Sequence, residues 1–119
     1  MKLKVPISQV DRMFRAFSDR TRLRILHLLR DGELCVCDIV RTLGAPQPTI
    51  SRHLAYLRKA GLVEARKEGL WMYYTLSDAR DGFHGKLLEC LGMCFQDVPE
   101  LAKDQRRLRA GRSMGRCCT

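Results

Sequence analysis

Residues 33–61 read ELCVCDIVRTLGAPQPTISRHLAYLRKAG, and the fold turns on how that stretch divides. Val36, Ile39, Val40 and Leu43 recur at helical spacing, the pattern stops at Gly44-Ala45-Pro46, and a second run follows at Ile50, Leu54 and Leu57. Two short helices joined by a tight turn are predicted. Pro48 suits the first turn of the second helix, where its missing amide is no loss, and Gly61 stands where a left-handed residue would end it. This is a helix-turn-helix signature. In that motif the N-terminal end of the second helix faces DNA, and Gln47, Thr49, Ser51, Arg52 and His53 cluster there. Gln47, Thr49 and Ser51 are suited to base edges or nearby phosphates, whereas Arg52 and His53 suit the backbone. Each has a plainer role too: Ser51 can satisfy a carbonyl, and His53 can brace the turn.

Working outward, residues 62–66 form a strand-like run, Lys67-Glu68-Gly69 a turn, and residues 70–76 an aromatic and β-branched partner strand. A β-hairpin directly after a recognition helix is a wing. Arg66 and Lys67 would flank the minor groove or phosphates, and Trp71, Tyr73 and Tyr74 read as sheet packing. On the other side, Ser8 is a plausible cap for a helix reaching Phe17, striped by Val10, Met13, Phe14 and Phe17. Residues 21–30 carry Leu23, Ile25, Leu26, Leu28 and Leu29 so densely that this helix reads as the buried centre, with Arg20, Arg22 and Arg24 on a solvated face. Another helix is expected from Ser77, capped by Ser77 or Asp78 and striped by Phe83, Leu87, Leu88, Leu91 and Phe95. His84 reads as a surface or interface imidazole, with Cys90 and Cys94 buried at a subunit contact. Pro99 opens a final polar helix, and residues 103–119 form a basic tail expected to lack order without DNA. The expected fold is mainly α with a β-hairpin wing, a winged helix-turn-helix. Its expected division is residues 1–98 for that domain and 99–119 for the C-terminal helix and cysteine-containing tail.

Composition is consistent with this class. A chain of 119 residues with a formal charge of +9 forms one small domain with a polyanionic partner, nucleic acid or an anionic membrane surface. No apolar run approaches the roughly 20 residues that cross a bilayer, and the N-terminus lacks a signal-peptide core, so a cytoplasmic protein is expected. There, the six cysteines read as thiols, ligands or redox sensors rather than structural disulfides. His27, His53 and His84 form no readable catalytic constellation, so an enzyme is not expected.

Cys35 and Cys37 stand at the start of the supporting helix. Residues i and i+2 of a regular helix point roughly 200° apart, so the two thiols share one ion only if the first turn stays open or unwinds. Thiolates select soft, thiophilic ions; trivalent arsenic or antimony is satisfied by three, whereas zinc or cadmium usually takes four. The plain alternative is two small hydrophobes packed beside Leu34 and Val36.

ELCVCDIV, QPTISRHLAYLRKAGLVEARKEG and WMYYTL together resemble the ArsR/SmtB family of winged-helix, metal-responsive bacterial repressors, most nearly its arsenical-sensing branch. The resemblance spans residues 14–76. It implies a homodimer, with the first helix packed on the last across the dimer, that represses a resistance operon and leaves double-stranded operator DNA when a toxic metal or metalloid binds. It also favours Cys35 and Cys37 as ligands. The arsenical pattern resembles C-V-C-D-x-C, however, and here the third position is Val40. The N-terminal arm has no cysteine, which disfavours the cadmium-sensing arrangement, and Asp81 and His84 have the wrong spacing for the zinc-sensing one. A further thiolate is expected from Cys117 or Cys118, where a flexible tail closes a loop at a cost that grows slowly with length; Cys90 and Cys94 remain alternatives. The function expected is a repressor released by arsenite or antimonite. A thiol redox or persulfide sensor, a cadmium or lead sensor, and a metal-sequestering protein are the competing readings.

Overall fold

A computed structural model describes residues 5–114 of the chain. The helices are α1 (Ile7–Phe17), α2 (Arg20–Leu29), α3 (Val36–Leu43), α4 (Gln47–Lys59), α5 (Gly82–Met93) and α6 (Pro99–Ser113), with strands β1 (Leu34–Cys35), β2 (Val63–Glu68) and β3 (Trp71–Leu76). The architecture is the expected winged helix-turn-helix. Asp19 caps α2 by accepting from the Arg22 amide at 3.0 Å, and Ile25, Leu26, Leu28 and Leu29 place that helix at the centre of the core. Ile39 from α3 and Ile50, Leu54 and Leu57 from α4 are fully buried against it. Each such side chain contributes about 1.5–3 kcal/mol, so α4 is held by its apolar rear face while its polar front stays free of the fold.

Gly44 at φ 68° and Gly61 at φ 82° end α3 and α4 in the left-handed region, as the punctuation predicted. At Gly61 a Cβ would run into Arg80, whose Nη2 donates to the Gly61 carbonyl at 3.2 Å. The wing turns at Gly69, φ 61°, with Leu70 exposed at its tip.

Four expectations are corrected. The sheet has three strands, ordered β1-β3-β2, because Leu34 and Cys35 pair with Tyr74 and Tyr73 and so lie outside α3. Helix α5 starts at Gly82, capped by Asp81, whose Oδ1 accepts from the His84 amide at 2.8 Å; Ser77 instead donates its amide to Leu62. The basic segment from residue 103 is helical through Ser113, because Leu101 and Leu108 bury one stripe against α2 and α3 while the arginines stay on the other. Finally, Arg24 is not on a solvated face: it makes a two-pronged pair with the buried Asp104 of α6, at 2.9 and 2.9 Å.

Among the described residues no helix is long and apolar enough to cross a membrane.

Candidate nucleic-acid interface and its thiol pair

The front of α4 exposes Gln47 and Arg52 and half-exposes Thr49, Ser51 and His53, with Gln47 Nε2 3.4 Å from Ser51 Oγ. These side chains share the N-terminal half of the helix because its buried positions fall at 50, 54 and 57. His53 is tied backwards as well. Its Nδ1 lies 3.8 Å from the Asp19 carboxylate and 3.4 Å from Arg22 Nη1. Arg22 itself lies 3.9 Å over the Tyr56 ring and donates to the carbonyls of Ala16 and Arg15 at 3.1 and 2.9 Å. A buttress of Asp19, Arg22, His53 and Tyr56 therefore fixes the angle of α4 to α1 and α2.

On the wing, Lys67 is exposed, whereas Arg66 is engaged. Its Nε and Nη2 donate to the two carboxylate oxygens of Glu33 at 2.7 and 2.8 Å, and its Nη1 to Glu68 at 2.6 Å, with the guanidinium 4.6 Å over Tyr73. The bonds to Glu33, then those to Glu68, raise its pKa further above the ordinary arginine value.

Glu33 lies two residues before Cys35, which brings the wing to the thiols. Cys35 is the N-cap of α3, extended at φ −73° and ψ 147°, while Cys37 is inside the first turn. The first turn is thus open at Cys35, and the two sulfurs stand 3.1 Å apart. This is the condition the sequence set for a shared ion. Cys35 is 2% exposed and Cys37 half-exposed, so the pair opens outward through Cys37. A small cavity of about 70 Å³ beside it is lined by Glu33, Cys35, Asp38, Arg66, Glu68, Tyr73 and Arg112. Two thiols at this separation fit a thiophilic ion, with bonds of about 2.3 Å from each sulfur. Among the described residues no group of three or more His, Cys, Asp or Glu is placed to hold a metal ion, so the pair is an incomplete donor set. Cys117 and Cys118 lie outside the described residues.

Cys90 is half-buried and Cys94 exposed in the single chain, rather than both buried as expected. A hydrogen bond to Cys94, then burial, pushes the Cys90 thiol pKa up, away from thiolate. His84 is also corrected. It is fully buried, its Nδ1 accepts from the Arg80 amide at 3.3 Å, and desolvation, then Arg80, lowers its pKa.

Sequence reasoning missed Glu33, Arg22, Tyr56 and Arg112 as parts of this surface. No local signal marks them, because each acts through a residue distant in the chain. Only the E-x-C-x-C order placed an acid beside the thiols.

The profile described as "Bacterial regulatory protein, arsR family" matches residues 19–65. The chain is 44% identical over 86 residues to the arsenical resistance operon repressor of Escherichia coli K12, covering 71% of this chain and 74% of that protein. It is 43% identical over 70 residues to a cadmium resistance transcriptional regulatory protein CadC homolog of Staphylococcus aureus, covering 58% of each. The homodimeric winged helix-turn-helix DNA-binding domain Mb0332 of Mycobacterium bovis, described as a possible ArsR-family regulator, superimposes with a TM-score of 0.65 at 33% identity, over 79% of this chain and 84% of that one. On its own sequence, its winged fold and these likenesses, the chain belongs to the ArsR family of DNA-binding transcriptional regulators and is not an enzyme.

Proposed function

We propose that the chain is a cytoplasmic, homodimeric repressor of a metalloid-resistance operon, released from operator DNA when trivalent arsenic or antimony is captured by Cys35 and Cys37. The observation that carries this reading is the open first turn of α3, which sets the two sulfurs 3.1 Å apart. The likeness to an arsenical resistance repressor favours arsenic, and a pyramidal trithiolate would supply the bound state. A third thiolate comes from Cys117 or Cys118. Arg112, near the end of α6, lines the cavity beside Cys35, and Cys117 is five residues further on, a span of at most about 18 Å.

The DNA surface proposed is Gln47, Thr49, Ser51, Arg52, His53, Arg66 and Lys67. Gln47, Thr49 and Ser51 read base edges, while Arg52 and Lys67 neutralise phosphates. His53 and Arg66, already held by protein partners, set the angles of the recognition helix and of the wing. Closing the thiols on one ion moves β1, and with it both Glu33 and the start of α3. The wing follows through Arg66 and the recognition helix through α3–α4 packing. Dimerisation uses the faces of α1 and α5, where Phe14 remains 53% exposed with its ring edge-on to Phe83 at 5.4 Å.

The likeness to a cadmium resistance regulator sustains a second reading, in which cadmium or lead is the inducer and four thiolates are used. Titrating the operator-bound protein with arsenite, antimonite, cadmium and lead separates the two. Release by arsenite, lost in Cys35→Ser and Cys37→Ser with DNA affinity intact, supports the proposal; either mutant responding normally refutes the assigned ligands. Truncation after Ser113 tests the tail thiols. An unchanged arsenite midpoint removes Cys117 and Cys118 from the site.

A further inference from the structure

A cavity of about 380 Å³ lies between α2, α5 and α6, away from both the thiol pair and the recognition helix. Its size is within the roughly 300–1,000 Å³ of small-molecule sites. Leu91 and Phe95 form an apolar wall; His27, Arg30 and Gln105 line its interior side, and the exposed Arg106 and Arg109 its mouth. Among the described residues four buried side-chain nitrogen or oxygen atoms have no hydrogen-bond partner, and three of them belong to this cavity: His27 Nδ1, Arg30 Nε and Gln105 Oε1. Buried polar atoms are rarely left so, and their convergence on one lined cavity points to a ligand.

The chemistry of the lining selects the ligand class. His27 is only 4% exposed, and desolvation, then the Arg30 charge, lowers its pKa, which keeps the ring neutral near pH 7. The positive charge therefore comes from Arg30, Arg106 and Arg109, whose planar forks match a carboxylate. Gln105 Nε2 lies 3.5 Å from Asp31 Oδ2, which leaves Oε1 as an acceptor in need of a donor. Leu91 and Phe95 take an apolar ring.

We propose that this cavity binds a small aromatic hydroxycarboxylate, its carboxylate on the arginines, its hydroxyl donating to Gln105 and its ring against Leu91 and Phe95. Because α6 packs on both α2 and α3, occupancy pins α6 to the core behind the thiol-bearing helix.

The test uses the full-length protein with salicylate as probe and benzyl alcohol and inorganic phosphate as comparators. Salicylate is expected to raise the melting midpoint saturably and to shift the His27 imidazole resonances, with no such effect of benzyl alcohol. The double variant Arg106→Glu, Arg109→Glu changes exposed side chains and is expected to weaken salicylate binding by about tenfold or more, as loss of a charge-assisted contact does. Arg112→Glu, outside the cavity, leaves it unchanged. Absence of a saturable His27 shift in the wild type overturns the site without recourse to any variant. Equal affinity for phosphate overturns the organic ligand class, and undiminished binding by the double variant overturns the role of the arginines.

Discussion

Two arginine–carboxylate pairs in this molecule share one geometry and do different work. Arg24 grips Asp104 at 2.9 and 2.9 Å with side chains 17% and 2% exposed; Arg66 grips Glu33 at 2.7 and 2.8 Å with side chains 50% and 35% exposed. The first pair joins elements 80 residues apart and fastens α6 across α2; the second joins residues 33 apart and latches the wing to the strand that carries Cys35. Burial separates their consequences. A buried charge without its partner is costly, so the inner pair is a clamp that does not open under native conditions. An exposed pair is solvated in either state and screened by salt, so the outer one can exchange partners. A regulator needs both, a fixed frame and a contact that yields.

The severest way to break the comparison is Asp104→Ala, which leaves Arg24 buried and alone. It is expected to cost about 3–5 kcal/mol in chemical denaturation, and replacing both residues by apolar ones of similar volume to recover much of that. A small loss would make the inner pair as dispensable as the outer.

His84 sharpens it, being buried and polar with no ion-pair partner. Its lowered pKa means the unfolded chain takes up the proton first as pH falls through about 6.5. Its contribution is therefore whole above that pH and declines below it, until the folded ring also protonates. His27 acts in the same direction. His84→Asn keeps an acceptor for the Arg80 amide and removes the titration, so its melting midpoint is expected to fall less than the wild type's between about pH 7.5 and 5.5. Parallel falls would show that His84 does not contribute.

The smallest effect on stability belongs to Glu33→Gln. Its melting midpoint is expected to shift slightly at low salt and not at all at high salt, while arsenite becomes less effective at releasing operator DNA because the wing is uncoupled from β1. An unaltered arsenite response would confine coupling to α3 and α4.

The helix-turn-helix and wing were legible because their signals are local. Ile50, Leu54 and Leu57 declare one buried face, Gly44 and Gly61 supply the left-handed stops, and the aromatic run of residues 71–76 declares a strand. The start of α5 was misplaced because Ser77 and Asp81 both carry capping chemistry and only packing chooses between them. The charge of residues 103–113 hid a helix whose Leu101 and Leu108 stripe is too thin to announce itself. His84 was taken for a surface group because an imidazole carries no mark of its burial.

At the thiols the division is sharper. Composition and spacing established on their own that two sulfurs precede a recognition helix and that a regular helix would hold them apart, since 3.6 residues per turn is a property of any polypeptide. Whether the turn was regular could not be read there. Pairing of Leu34 and Cys35 with β3 decided it, drawing Cys35 into an extended conformation and setting its sulfur beside that of Cys37. The same holds for Glu33, Arg66, Arg24 and Asp104. Periodicity and punctuation act between near neighbours and survive in the bare sequence, whereas ion pairs and strand register join distant residues whose separation closes only when the core of α2, α3 and α4 has packed.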